Sequence, residues 1–110
     1  MPHYMLRWQL TTDSAKALVA APQDRTGPAT TLIESFDGKL LCYYFSLGEY
    51  DGLGIVEFPD NVAATACSMK AASTGAFSRF ETTALLTAQE AEAAMKKAKS
   101  TKSGYKPPSG

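Results

Sequence analysis

The stretch Lys39-Leu40-Leu41-Cys42-Tyr43-Tyr44-Phe45-Ser46-Leu47-Gly48-Glu49-Tyr50-Asp51-Gly52-Leu53-Gly54-Ile55-Val56-Glu57-Phe58 decides the fold of this chain. Its first nine residues are apolar on both alternating sets, as in a strand covered on both sides, and Leu53, Ile55, Val56 and Phe58 form a second strand that Pro59 ends. The five-residue connection Gly48-Glu49-Tyr50-Asp51-Gly52 is too short for a crossover, so the two strands make an antiparallel hairpin. Gly48 and Gly52 are expected to supply unusual backbone angles there.

Outward from this hairpin, His3 to Thr11 alternates, with Tyr4, Leu6, Trp8 and Leu10 apolar and Arg7 and Gln9 polar, which predicts a first strand. Thr11, Thr12 and Asp13 offer capping oxygens for a helix that Pro22 and then Gly27-Pro28 interrupt, and a second segment is expected to restart at Pro28 with Ala29, Leu32, Ile33 and Phe36 on its buried face. Asp37-Gly38 provides a left-handed stop. Asp60 caps an Ala-rich helix expected to turn Val62, Ala66 and Met69 to the core, with Gly75 at its exit. Residues 76–86 read as the last strand, and Thr87-Ala88-Gln89-Glu90 is a capping box that opens a terminal helix.

The order β, α, β, β, α, β, α is that of an α+β, ferredoxin-like βαββαβ sandwich with an antiparallel four-stranded sheet plus a C-terminal helix. Residues 1–99 are expected to form this single domain and residues 100–110 a flexible tail of Lys, Ser, Gly and Pro. Helices cover only one face of such a sheet. The apolar second strand predicts that the other face is also greasy, so a homodimer closed through the open sheet face, of the dimeric α/β-barrel type, is expected.

Composition narrows the partners. Eleven Lys and Arg balance eleven Asp and Glu, yet Lys96, Lys97, Lys99, Lys102 and Lys106 lie in the last fifteen residues, which leaves six cations against eleven acids, a net of −5, over residues 1–95. An acidic body argues against nucleic acid. The RNA-binding domains that share this element order stack bases on strand aromatics, for which Tyr43 and Phe45 would be the positions, but the surrounding basic, Gly-bearing motif is missing. No secretory leader or membrane span is expected, which points to a cytoplasmic protein. Cys42 and Cys67 have neither CxxC spacing nor a disulfide framework and read as free thiols.

The Gly48 to Gly52 connection resembles that of the GYD domain family of small bacterial proteins, and the likeness extends through Tyr4 to Trp8, Pro22 to Arg25, Glu34-Ser35, Gly38 to Leu41, Arg79, Glu81-Thr82 and Leu86-Thr87, about residues 3–98. Gly27-Pro28 and the Lys-bearing tail depart from the family pattern. The resemblance implies a dimeric α/β-barrel relative of small monooxygenases and haem-handling proteins, with no defined role of its own.

Candidate ligand-binding residues are Tyr4, Trp8, Tyr44, Glu49, Tyr50, Asp51, Arg79 and Glu81. Glu49 and Asp51 could act as acid/base or cation-binding groups if one is desolvated, Tyr50 could position a ligand, and Arg79 could hold an anion while sharing a strand face with Glu81. Each also has a structural reading: turn chemistry for Glu49 and Asp51, core or dimer contact for the aromatics, an ion pair for Arg79 with Glu81. No metal site is expected, since His3 is the single imidazole, and no cofactor is implied by any motif. Two functions remain from the sequence. One is a homodimeric small-ligand-binding or interaction protein, taking a small apolar or aromatic ligand. The other is a cofactor-independent enzyme of monooxygenase or isomerase type, with a pocket between sheet and helices near Tyr4, Trp8, Tyr44 and Glu81.

Overall fold

The computed structural model describes residues 1–109, with β1 (His3–Leu10), α1 (Thr12–Ala20), α2 (Thr26–Glu34), β2 (Lys39–Phe45), β3 (Gly52–Glu57), α3 (Asn61–Ser73), β4 (Phe77–Leu85) and α4 (Ala88–Ser100) in chain order. The strands form one antiparallel sheet in the order β2-β3-β1-β4, the ferredoxin-like α+β arrangement. Capping fixes three helix starts as the sequence predicts. Thr11 accepts from the Ser14 amide, Asp60 from the Ala63 amide, and Thr87 and Glu90 complete a reciprocal box. Between α1 and α2, Asp24 accepts from the Thr26 amide, and Gly27-Pro28 fall in the first turn of α2, where a missing N–H leaves no helical bond unmade.

Register sorts side chains to faces. Trp8 pairs with Gly52 and Phe80, and Tyr4 with Val56 and Ala84, so the even positions of β1, β3 and β4 share one side. On that side Tyr4, Leu6, Trp8, Val56 and Phe58 meet Ile33 of α2 and Ala64 and Cys67 of α3 to form the core. Phe58 and Val56 are fully buried, and burial pushes the Cys67 thiol up to about 11.

Three expectations need correction. The core face of α3 is Ala64, Cys67 and Ala71, while Val62 and Met69 are 77% and 67% exposed. Small residues let this helix approach the sheet closely, and the larger ones are turned outward. β2 is an edge strand covered on one side only: Leu40 and Tyr43 pack against the core, while Leu41, Tyr44 and Phe45 are exposed, and a bulge lies between Leu40 and Cys42. The left-handed stop expected at Asp37-Gly38 is present and falls on Asp37, at φ 61°. Gly38 is instead needed for space, since a Cβ would lie 2.8 Å from the Glu57 carbonyl oxygen. Gly48 does adopt a positive φ of 129°, but Gly52 does not; its missing side chain makes room for the Trp8 indole.

α4 stands apart. None of its residues is buried, although Ala88, Ala91, Met95 and Ala98 keep helical spacing along one side. The molecule is correspondingly extended, 58 × 33 × 23 Å with a radius of gyration of 17.9 Å, against about 13 Å for a compact chain of this length. No helix among the described residues is long and apolar enough to cross a membrane.

Candidate functional site

Two places carry chemistry, one on each face of the sheet. The first is the β2–β3 connection, which folds back over the uncovered face of β1. Asp51 fastens it: its amide donates to the Trp8 carbonyl at 2.8 Å and its carboxylate accepts the Leu10 amide at 2.7 Å. That second bond satisfies a backbone group at the register shift between Gln9 and Leu10. Gln9 Nε2 donates to the Glu49 carbonyl at 2.5 Å. Asp51 thus serves backbone positioning.

Tyr50 lies against two guanidiniums, with Arg7 4.4 Å and Arg79 5.4 Å from its ring centroid. Arg7 bonds Glu81 at 3.0 Å, Arg79 bonds the other Glu81 oxygen at 2.5 Å, and Arg79 also reaches Glu49 at 3.1 Å. Hydrogen bonding with Tyr50, and after it the guanidiniums, hold the Glu81 carboxyl below its ordinary range, and the same bond with Glu81 raises the Tyr50 phenol. A phenol held protonated and a carboxylate held charged by two arginines form a closed network rather than an acid/base pair. Arg7 Nε is the one buried polar side-chain atom among the described residues without a partner.

The network unites Glu49, Tyr50, Arg79 and Glu81 from the predicted set and adds Arg7 and Gln9, which the sequence showed only as polar alternates of β1. Their signal was topological: β1 beside β4 sets Arg7 opposite Glu81 and Gln9 opposite Arg79. Tyr44 occupies the same face opposite Leu53 and is 62% exposed. Tyr4 and Trp8 point to the other side, where the Tyr4 hydroxyl donates to Asn61 Oδ1 at 2.5 Å. A single pocket around Tyr4, Trp8, Tyr44 and Glu81 is therefore excluded by strand parity.

The uncovered face is mixed rather than uniformly greasy. Cys42, Ile55 and Met5 run across β2, β3 and β1 as an apolar band, with Leu53 and Tyr44 beside it. Around them the two arginines pair with Glu49 and Glu81, so those four charges are compensated within the face, and His3 Nε2 lies 3.3 Å from Glu57 Oε1.

The second place is a cavity of about 510 Å³ between the covered face and α1 and α2. Its walls are aromatic. Trp8 stacks on Tyr43 with centroids 5.4 Å apart and on Phe80 at 6.4 Å, and Phe77 meets both Trp8 and Phe80 edge-on. Gly54 leaves the floor low between Leu40 and Val56, and Ala17 and Ala29 on the two helices leave the roof high. Exposed lining residues, among them Gln23, Arg25 and Phe45, mark the mouth. Burial raises the Tyr43 phenol, and the nearby Arg25 charge opposes that rise. Among the described residues no group of three or more His, Cys, Asp or Glu is placed to hold a metal ion.

The family model of the GYD domain matches residues 4–95. Among solved structures, the crystal structure of MtbAldR is similar, with a TM-score of 0.52 at 17% identity, covering 78% of this chain and 52% of that one. The chain therefore spans about half the length of that structure, and at this identity the likeness concerns the fold. No curated protein matches the sequence.

Proposed function

Because the chain belongs to the GYD domain family over residues 4–95, we propose that it is a small-ligand-binding member of that family, acting as a homodimer and taking an apolar or aromatic molecule between the sheet and α1–α2. The cavity carries this reading. A concave space of about 510 Å³ with mostly apolar walls and a few polar groups at its mouth is the form small-molecule sites take. Binding fits the lining better than turnover does. Its titratable side chains are Tyr43, whose phenol is raised, and Arg25, and neither is a base at neutral pH.

Trp8, the chain's single tryptophan, forms part of the cavity wall, so its emission reports occupancy directly. A thermal-shift and fluorescence screen with small aromatic acids, quinones and flavin tests the proposal. A ligand at one hundred times its Kd stabilises by about 2.7 kcal/mol, and Ala17→Phe, which fills the space from α1 without adding a second indole, should remove both signals. If no compound moves either the parent's melting point or its emission, the ligand reading fails.

The dimer is proposed through the uncovered sheet face. The band of Met5, Cys42, Ile55, Leu53 and Tyr44 supplies apolar area, and the internally paired charges let two copies meet without net repulsion. Light scattering should give twice the 11.8 kDa chain mass; the single-chain mass at micromolar concentration would refute it. The unbridged thiols of Cys42 and Cys67 accord with a reducing, cytoplasmic setting in a bacterium.

A further inference from the structure

We infer that the cavity selects an aromatic carboxylic acid: a flat ring system seated against Trp8, Tyr43 and Phe80, with one anionic group held at Arg25. This rests on the cavity being a ligand site, and it adds the charge and shape of the occupant.

The charge follows from the lining. Arg25 is the single charged residue among those that line the space, and no carboxylate or lysine accompanies it. Among the chain's three arginines its situation is different. Arg7 and Arg79 are both committed to carboxylates, whereas the recorded partner of Arg25 is the neutral Gln23 amide, which accepts from Nη1 at 2.8 Å. The neighbouring Asp24 forms no ion pair with it; one Asp24 oxygen instead accepts the Thr26 amide at 2.9 Å and hydroxyl at 2.7 Å. Arg25 thus stands at the mouth as a guanidinium with both a planar donor fork and no acid to fill it, the arrangement that suits bidentate carboxylate binding. At the Tyr43 phenol, whose upward shift comes first from burial, Arg25 opposes the rise and the Asp24 carboxylate adds to it, so the selectivity rests on the guanidinium's place in the lining.

The shape follows from the walls. The lining is aromatic, with Trp8 stacked on Tyr43 and Phe80 and with Phe77 edge-on to Trp8 and Phe80. Aromatic walls favour an aromatic guest through edge-to-face and offset contacts. Placing the anion at the exposed rim lets it keep part of its hydration while the rings leave water, which avoids the penalty of a fully buried charge.

Calorimetric titration of the full chain at low ionic strength with naphthalene-2-carboxylate and the equally sized, neutral naphthalene-2-carboxamide tests this. The parent should bind the carboxylate at least about tenfold more tightly. Arg25→Gln should bring the two within about twofold, and Arg25→Lys should keep part of the preference. Because Arg25 is exposed, these variants are expected to fold, which their melting points check. Equal affinities in the parent, or a preference that survives Arg25→Gln, overturn the assignment to Arg25 and leave the cavity as a neutral-ligand site. If neither compound binds, the cavity reading itself falls and this inference falls with it.

Discussion

Gly52→Ala offers a sharp test of how the Trp8 indole is seated on the covered face of the sheet. Gly52 pairs with Trp8 on one side and Phe45 on the other, so its backbone is held by both neighbouring strands. A Cβ there would sit 2.8 Å from Trp8 Nε1 and closer still to two carbons of the same indole. The indole has no obvious escape, being stacked between Tyr43 and Phe80. Overpacking of a tight core costs about 1–3 kcal/mol, and three overlapping ring atoms put this case near the top of that range. Replacing Gly by Ala also restricts the unfolded chain, which returns about 0.4–1 kcal/mol. The net loss should be about 2 kcal/mol, or about 8 °C in melting temperature for a chain of this size. Thermal unfolding followed by circular dichroism measures the shift, and Trp8 emission shows whether the ring has moved. In a Trp8→Leu background the same Gly52→Ala change should be much milder, with a coupling of at least about 1 kcal/mol. A melting point within about 2 °C of the parent, or strict additivity in the double variant, would refute the claim that Gly52 exists to seat the indole.

Other substitutions probe the remaining contacts. Phe58→Ala empties a fully buried site that meets Tyr4 edge-on and should lose about 3–5 kcal/mol by urea denaturation; a loss under about 1 kcal/mol would contradict the core assignment. Thr87→Ala removes half of the capping box and should reduce the helical signal of α4 by circular dichroism while leaving the main unfolding transition in place. Glu81 is held below its ordinary carboxylate range, so its contribution is complete above that range and disappears as pH falls through the depressed folded value. Glu81→Gln should therefore flatten the acid side of the stability profile, and an unchanged acid limb in pH-dependent melts would show that the Tyr50 network does not hold its charge.

The hairpin, the broken first helix and the capping box were legible because each rests on local chemistry: alternation, Pro22 and Gly27-Pro28, and the Thr87–Glu90 pair. β2 misled because an apolar side chain at an edge reads the same as one in the interior. Leu40 and Tyr43 face the cavity and Tyr44 faces away, yet alternation alone cannot say what lies beyond either face. α3 misled by size. Val62 and Met69 are its largest apolar residues, but the sheet admits only the small stripe of Ala64, Cys67 and Ala71. The Tyr50 network was half legible, since Arg79 and Glu81 share a face by parity, whereas Arg7 joins them through strand order, a property of the whole fold. The cavity was illegible for a related reason. It is created by what Gly54, Ala17 and Ala29 omit, and such omissions matter only once two helices and a sheet are assembled around them.

α4 leaves the body held by its cap alone, and an isolated helix of 13 residues is marginal in water. In hydrogen exchange its amides should trade protons through independent fraying, while those of β1 and β3 wait for global opening. The end of the chain is then a natural place to attach a fluorophore, a surface tether or a fusion partner, because load applied there is absorbed by unwinding this one arm before it reaches the ring-lined chamber.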